Sequence, residues 1–268
     1  MPLVCITGDV HHDPGIFEGD ILRSKILFPL SLMRSSEYLL AKEYSKIAKA
    51  YSSKVTLFVT GKCIEEHKSF WKSLSGEKNV ELGAHTYAMM PFYYLRIFFK
   101  KLFNSYYGPS FYQRMDIEKT LRAFETIGVR PLSWRTHGYW GNETTYKILG
   151  EYGFKVVCDM RSVGELQVKK VNCIGNLKHI SINAVDDNLI ERFYLEKNYS
   201  KVRRLGKKFK ESIFDGINKK RDLVVQLHPI CQKLLDNYKT FEVILKRLSE
   251  NDYSSLTITE LADSSRAR

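Results

Sequence analysis

The sequence predicts an α/β protein whose mainly parallel strands form a distorted (β/α) barrel of seven or eight strands. Short apolar runs rich in β-branched residues alternate with helical patterns along the whole chain. No fixed-period repeat and no long Gly/Ser or Pro linker interrupts this alternation. The 268 residues, 44% of them hydrophobic, suffice for one substantial core. We therefore expect a single domain spanning residues 1–268.

The first part of the chain gives clear signals for two strands and the helix between them. Residues 3–7 form a short apolar run, and residues 54–61 combine Val, Thr and Phe in a strong β pattern that ends at a glycine. Between them, residues 37–51 have apolar positions at helical spacing, and Ser36 is placed to cap this helix. The other elements predicted before residue 90 are a helical piece near 27–33, a helix at 64–73 and a strand at 80–83.

The second part continues the same rhythm. Asn142 is a helix-capping residue before residues 143–151, and Gly153 follows as a helix stop. Residues 222–227 form a continuous apolar strand that ends at His228. The remaining predicted elements are a helix at 116–126, strands at 131–135, 155–159 and 179–182, a basic helix at 199–220, a helix at 239–251 and a last strand at 255–258.

Residues 88–112 interrupt the alternation as an aromatic and basic insertion. Ten aromatic residues lie between Phe92 and Tyr112, with basic residues among them. The segment can be a lid over a site, a helix at a membrane surface, or core of an inserted helix. Lid or core is favoured here because the aromatics are not confined to one helical face.

Composition excludes several classes of protein. The net charge of +12 allows contact with nucleic acid or an anionic membrane, but a solvated basic surface is the simpler interpretation. No nucleic-acid-binding motif occurs, so no nucleic acid partner is expected. A phosphate-binding glycine loop and a Gly-x-Ser-x-Gly elbow are also missing from the sequence. Five cysteines without a CxxC pair, no export signal and no apolar stretch of about 18 residues favour a cytoplasmic protein.

Ionisable side chains follow several of the predicted strands. In a parallel barrel the carboxyl ends of all strands meet at one rim, so these residues would converge there. The alternative is that each polar residue only follows its strand into solvent, which is less plausible for so many strands. The candidates at these strand ends are Asp9, His11, His12 and Asp13 after the first strand, and His85, Arg135, Asp159 and His228 after later ones.

The order of these strand ends resembles the polysaccharide deacetylase family, carbohydrate esterases that act on chitin and peptidoglycan. Residues 7–11 (Thr-Gly-Asp-Val-His) are similar to a Thr-x-Asp-x-Asp form of the family's first motif. Residues 83–86 (Gly-Ala-His-Thr) are similar to its Gly-x-His-Thr motif, and Leu227-His228 to its Leu-His strand end. Further similarities lie at residues 55–61, 135–138, 149–154 and 257–261, so the resemblance spans nearly the whole chain.

The resemblance implies a role for each matching position. Asp9 matches the family's catalytic base and Arg135 the arginine that pairs with it. His228 matches the general acid, and Asp159 is the candidate for the carboxylate that orients it. His85 matches the first metal histidine, whereas His11 stands where the family has a metal-binding aspartate.

The second metal histidine of the family falls at Met89, and Met is a poor ligand for zinc in a site of nitrogen and oxygen donors. His12, Asp13 or His137 would then supply the missing ligand.

The resemblance therefore predicts a metal-dependent hydrolase that removes an N-acyl group, most simply acetyl, from an amino sugar or related amide. Zinc is the expected metal, with nickel, cobalt or manganese as alternatives. The expected partner is a small-molecule or glycan substrate that can be lipid-linked, and peripheral membrane contact through residues 88–112 is the alternative to a lid. The alternative is a catalytically silent deacetylase-like domain that binds a glycan or a protein.

Overall fold

The structure is a computed structural model, and it describes residues 1–12, 37–88, 93–162, 164–171 and 176–264. Its strands are β1 (Leu3–Val10), β2 (Val55–Val59), β3 (Val80–Ala84), β4 (Ser133–Trp134), β5 (Val156–Arg161), β6 (Val168–Lys170), β7 (Lys178–Ile182), β8 (Leu223–Gln226) and β9 (Ser254–Ser255). They form one sheet in the order β6-β7-β5-β4-β3-β2-β1-β8, and β9 also pairs with β1. Every pair is parallel except β6 with β7.

Helices fill most of the connections between the strands. They are α1 (Glu37–Ala50), α2 (Gly61–Glu66), α3 (Lys68–Ser75), α4 (Tyr93–Phe103), α5 (Ser110–Glu125), α6 (Glu143–Glu151), α7 (Ile190–Leu195), α8 (Tyr199–Asn218), α9 (Pro229–Asp236), α10 (Lys239–Glu250) and α11 (Ile258–Asp263). A 3-10 turn occupies His137–Tyr139. Within the described ranges, no helix is both long and apolar enough to cross a bilayer.

The predicted fold class is confirmed, with the sheet left open between β7 and β8. Asn183, directly after β7, joins the two edges instead of a strand ladder. Its backbone N–H donates to the Val224 carbonyl oxygen at 3.1 Å, and its side-chain Oδ1 accepts from Val224 N–H at 2.7 Å. The barrel is therefore distorted at this point, where one residue, through its backbone and its side chain, hydrogen-bonds the edge of β8.

The central strands are buried along their length, as expected for parallel strands covered on both faces. Two glycines allow other groups to approach the strands closely. A Cβ on Gly8 would lie 2.8 Å from the Leu227 carbonyl oxygen, so only glycine lets β1 approach the end of β8. A Cβ on Gly83 would lie 2.7 Å from the Phe58 ring. Glycine at that position lets Phe58 lie against the strand that carries His85.

Several predicted elements differ in detail from the observed ones. The last predicted strand, 255–258, is wrong beyond Ser255, because Thr257 and Glu260 form a capping box that starts α11. The helix predicted at 64–73 is two helices that meet at His67, whose backbone is not helical. Helix α9 was not predicted, although a proline directly after His228 is a common helix start. The helical piece predicted at 27–33 lies outside the described residues.

Candidate active site and metal centre

Six of the nine candidate site residues lie together at the carboxyl ends of the strands. Asp9 is near the end of β1, and His11 follows that strand. His85 follows β3, and Arg135 follows β4. The chain then turns at once through the 3-10 turn, which brings His137 back to the same edge, and His228 follows β8. The parallel order of the strands is what brings these residues to one edge.

Three of these residues form a histidine cluster, defined as His11, His85 and His137. One ring nitrogen from each lies within 4.8 Å of the other two. The three ring centroids are 5.4 Å apart in every pair. Three imidazoles at this separation are a ligand set for a tetrahedral ion with one position left open.

The hydrogen bond of His85 prepares this ring to act as a ligand. Its Nδ1 donates to the Arg135 carbonyl oxygen at 2.5 Å, which leaves Nε2 with a free lone pair. Nε2 is buried and has no hydrogen-bond partner within the described ranges. Burial lowers the pKa of His85 to about 3, so the ring is neutral, as a metal ligand must be. The donor set therefore fits a divalent ion that favours imidazole.

Glu37, the first residue of α1, contacts the His11 ring. Its Oε1 lies 3.4 Å from His11 Nδ1, an ion-pair contact that lacks hydrogen-bond geometry, and this places the carboxylate on the Nδ1 side of the ring. Burial alone would lower the pKa of His11, but the Glu37 carboxylate outweighs it and raises that pKa. A carboxylate behind a histidine ligand fixes the ring orientation and increases its basicity.

Asp9 and Arg135 form a buried ion pair beside the histidine cluster. Arg135 Nη1 donates to Asp9 Oδ1 at 2.7 Å, and Nη2 donates to Thr7 Oγ1 at 2.9 Å. The guanidinium lies 4.2 Å from the centre of the Phe58 ring, the ring that Gly83 accommodates. Burial alone would raise the pKa of Asp9, but Arg135, with smaller contributions from His85 and His228, holds that pKa well below its usual value. Asp9 is therefore ionised and able to accept a proton.

His228 is held by a second carboxylate, Asp187. Asp187 Oδ1 lies 2.6 Å from His228 Nδ1, and Oδ2 accepts from the His228 backbone N–H at 2.9 Å. On the other side of the ring, His228 Nε2 lies 3.5 Å from Asp9 Oδ2. Burial alone would lower the pKa of His228, but Asp187 and then Asp9 raise it well above the usual value. A protonated His228 is a proton donor in reach of the same space as Asp9.

Gln226 lies between the two groups. Its Nε2 is 2.9 Å from Asp9 Oδ2 and 3.0 Å from His228 Nε2. An amide N–H can donate only to an unprotonated Nε2, so this contact opposes the raised pKa of His228. Two carboxylates outweigh one amide, and we take His228 as charged. Beside a charged His228, the Gln226 amide can bond the ring only by accepting through Oε1, which has no partner in the orientation described.

The pairing of Asp159 with His228 predicted from the sequence is wrong. Asp159 accepts from the Thr136 backbone N–H and from Thr136 Oγ1, both at 2.6 Å. Burial raises the pKa of Asp159 to about 7. Its contacts hold the turn between Arg135 and His137, so it positions the site without touching the acid. The partner of His228 is Asp187.

Of the other candidates for the missing ligand, one is described and lies outside the cluster. His12 is buried, its backbone N–H donates to Thr60 Oγ1 at 3.0 Å, and its Nδ1 is 3.4 Å from the same hydroxyl. Asp13 and Met89 lie outside the described residues. His137 is the candidate that joins His11 and His85.

Three residues of the site were not predicted. Gln226 is predictable from the sequence, because it stands two residues before His228 at the end of a buried strand. Its side chain is therefore expected on the same side of the sheet as that of His228. The sequence signals Glu37 only as the start of a helix. Asp187 lies five residues after β7 ends, and no periodic pattern extends that far into a loop.

Searches against known proteins identify the fold. No protein-family profile and no curated protein matches the sequence. Among solved structures, one classed as a polysaccharide deacetylase from Mycobacterium smegmatis aligns with a TM-score of 0.64, 15% identity, and 99% of this chain and 91% of that one covered. Puue allantoinase aligns with a TM-score of 0.65, 16% identity, and 97% and 89% covered. A CE4 family pseudoenzyme from Bacillus anthracis aligns with a TM-score of 0.55, 16% identity, and 97% and 64% covered. The chain therefore has a polysaccharide-deacetylase-like fold.

Proposed function

We propose that this chain, which combines a polysaccharide-deacetylase-like fold with a three-histidine site, is a metal-dependent hydrolase of N-acyl amides. The substrate that the fold favours is an acetylated amino sugar, and the likeness to an allantoinase extends the candidates to other small amides. The carrying observation is the position of Asp9. One of its carboxylate oxygens accepts from Arg135, the residue whose carbonyl oxygen holds His85 of the histidine cluster, and the other lies 3.5 Å from Nε2 of the acid His228.

The histidine cluster would hold the metal through one nitrogen of each of His11, His85 and His137. Imidazole donors suit zinc, and they also accept nickel or cobalt, whereas manganese prefers oxygen ligands. Bound there, zinc would polarise the acyl oxygen and lower the pKa of a nearby water from about 15.7 toward about 7.

The two proton-transfer roles follow from the charges in the site. Asp9 is ionised because Arg135 stabilises its negative charge, so it can take the proton of the attacking water. His228 is charged because Asp187 and Asp9 face its two ring nitrogens, so it can give a proton to the leaving amine. After one turnover Asp9 holds the proton and His228 has lost one. The proton moves back through water or directly across the short gap between them.

A second candidate function is a catalytically silent domain that binds its ligand without turnover. The likeness to a CE4 family pseudoenzyme supports it, because the same fold exists there without activity. A mutant of that pseudoenzyme has restored enzymatic activity, so the same fold supports both states. The set of Asp9, Arg135 and His228, which match catalytic positions of the family that the sequence resembles, favours catalysis, because a binding domain has no use for two oppositely tuned proton carriers.

The test combines metal analysis with an acetate-release assay. Purified protein is loaded with zinc, nickel or cobalt, its bound metal is measured, and N-acetylglucosamine oligomers and small N-acyl amides are supplied. We expect about one ion per chain and release of acetate or another acid. A chain that binds no ion after loading, or binds one and hydrolyses none of these amides, would contradict the proposal and favour the silent domain. The cytoplasmic location expected from the sequence stays a prediction.

A further inference from the structure

An apolar surface with no covering element in the described parts of the chain lies beside the site. Its members are large hydrophobic side chains on α4, on the following loop and at the start of α5. Their exposed fractions are 52% for Phe98, 59% for Leu102, 47% for Phe103, 42% for Tyr106 and 72% for Phe111. We call these five residues the aromatic surface. The other exposed large hydrophobics of the described ranges are mostly scattered singly, as on any soluble surface.

The aromatic surface is held in place by packing between α4 and the start of α5. Phe99, half-buried, has its ring centroid 6.1 Å from that of Phe103 and 5.7 Å from that of Tyr112. The backbone at Gly108 passes so close to Phe99 that a Cβ there would lie 3.0 Å from the ring. This packing joins α4 to the start of α5, so the exposed rings keep their positions.

The chain segment that carries the aromatic surface contains cations and no carboxylate, although its Arg114 is paired with Glu151 of α6. No acidic residue occurs from Leu82 to Met115, while Arg96, Lys100, Lys101 and Arg114 all lie within that range. The Lys100 ammonium lies 5.2 Å from the centre of the Tyr106 ring. Exposed aromatics with interleaved cations are the composition of a helix that lies in the interface of an anionic membrane.

A second copy of the chain fits this surface poorly. In a two-fold dimer the same patch would meet itself, so Lys100 and Lys101 would approach their own counterparts. Residues 82–115 contain no carboxylate that could compensate this repulsion. Anionic lipid headgroups supply the missing negative charge.

Ring contacts connect the aromatic surface to the histidine cluster. The Tyr106 ring is 6.2 Å from the Trp140 ring, and the Trp140 ring is 5.8 Å from His137. Helix α4 also belongs to the connection that leaves β3 at its carboxyl end, where His85 lies. A membrane that met this surface would therefore lie next to the site.

We propose that the aromatic surface docks on an anionic membrane and presents the site to amide-bearing headgroups anchored in that membrane. Docking rests on the surface alone, whereas this substrate class rests on the proposed function. Phe98 and Leu102, one helical turn apart, enter the headgroup region, and Lys100 and Lys101 meet lipid phosphates.

Vesicle co-sedimentation of the full chain tests docking without metal or substrate. Vesicles contain phosphatidylcholine alone or with phosphatidylglycerol. We expect binding to the anionic vesicles, about 25-fold weaker in the variant with Lys100→Gln and Lys101→Gln, since each cation near the surface contributes about fivefold. The variant with Phe98→Ser and Leu102→Ser is expected to bind more than tenfold more weakly.

Two matched variants control for general effects. Leu39→Ser with Val243→Ser removes apolar side chains that are 49% and 48% exposed elsewhere. Lys246→Gln with Arg247→Gln removes two exposed cations of α10. Both are expected to bind like the parent. Seven of the eight altered side chains are exposed and Lys100 is half-buried, so thermal unfolding is expected to change little, and its measurement verifies the fold.

Docking would be refuted by three results: no binding to anionic vesicles at low salt, equal binding by the surface and control variants, or a dimer that the Phe98→Ser, Leu102→Ser variant abolishes. Acetate release from soluble amides without vesicle binding would remove docking and leave the proposed function intact. Vesicle binding without any amide hydrolysis would support docking and remove the substrate class.

Discussion

The replacement Asp187→Asn tests the assignment of His228 as the acid. Asp187 is fully buried, and its carboxylate lies 2.6 Å from His228 Nδ1. An opposite charge this close shifts a pKa by about 1 to 3 units, which is about 1.4 to 4 kcal/mol. Asparagine keeps the size of the side chain and removes the charge. The pKa of His228 is therefore expected to fall by that amount.

The assay is the pH dependence of kcat/KM for amide hydrolysis. Since the acid must be protonated, its pKa sets the alkaline limb, and this limb is expected to move down by about 1 to 3 pH units in Asp187→Asn. The rate at the optimum is expected to fall by about 10²-fold to 10⁴-fold, the usual contribution of a positioned acid. The control is Asp159→Asn, which alters the turn at Thr136 and is expected to leave the alkaline limb in place.

The pH dependence of the free energy of unfolding is a second measurement that reports on the contact between Asp187 and His228. The folded pKa of His228 is raised, so its stabilising contribution is complete below the unfolded pKa of about 6.5 and is lost as the pH rises through the folded value. This dependence is expected to weaken in Asp187→Asn, measured by urea unfolding across that range. An alkaline limb that moved in Asp159→Asn and stayed in Asp187→Asn would refute the reasoning.

Three further replacements probe the metal site and the base. His85→Ala is expected to abolish metal binding and hydrolysis, with His179→Ala unchanged in bound metal; surviving activity would mean that the site is assigned wrongly. Glu37→Gln is expected to weaken metal affinity by about 10-fold to 100-fold in a chelator competition, since the carboxylate orients a ligand, whereas an equal loss in Glu43→Gln would exclude that explanation. Arg135→Met leaves the buried Asp9 unpaired and is expected to lower the free energy of unfolding by about 3 to 5 kcal/mol at neutral pH. Because Arg135 depresses the pKa of Asp9, the acidic limb of kcat/KM is expected to move to higher pH, and an unmoved limb would argue against Asp9 as the base.

Much of the fold was predictable because its signals are local. The apolar run at residues 3–7 and the rich β pattern at 54–61 reflect burial on both faces, which needs no knowledge of the partner strand. Asn142 caps its helix as predicted, through hydrogen bonds to a residue three positions away. The last strand was predicted too long because the capping box that starts α11 was not considered.

The strand ends of the site were predictable for the same reason, whereas the partners were not. Asp9, His85 and His228 follow apolar runs, and parallel topology brings such ends to one edge. Asp159 also follows a strand, but its side chain meets Thr136. Which carboxylate reaches His228 depends on the path of the loop after β7, and loop paths carry no sequence period.

The sequence by itself determined the α/β class, the order of the strands with reactive ends, and the likeness to polysaccharide deacetylases. Tertiary structure alone decided that His137 joins His11 and His85, that Asp187 holds His228, and that Gln226 lies between acid and base. The physical reason is the range of the interactions. Hydrophobic periodicity is encoded between neighbours in the chain, but distances of 2.6 Å and 3.5 Å between side chains that are far apart in the sequence exist only after the strands and loops have packed.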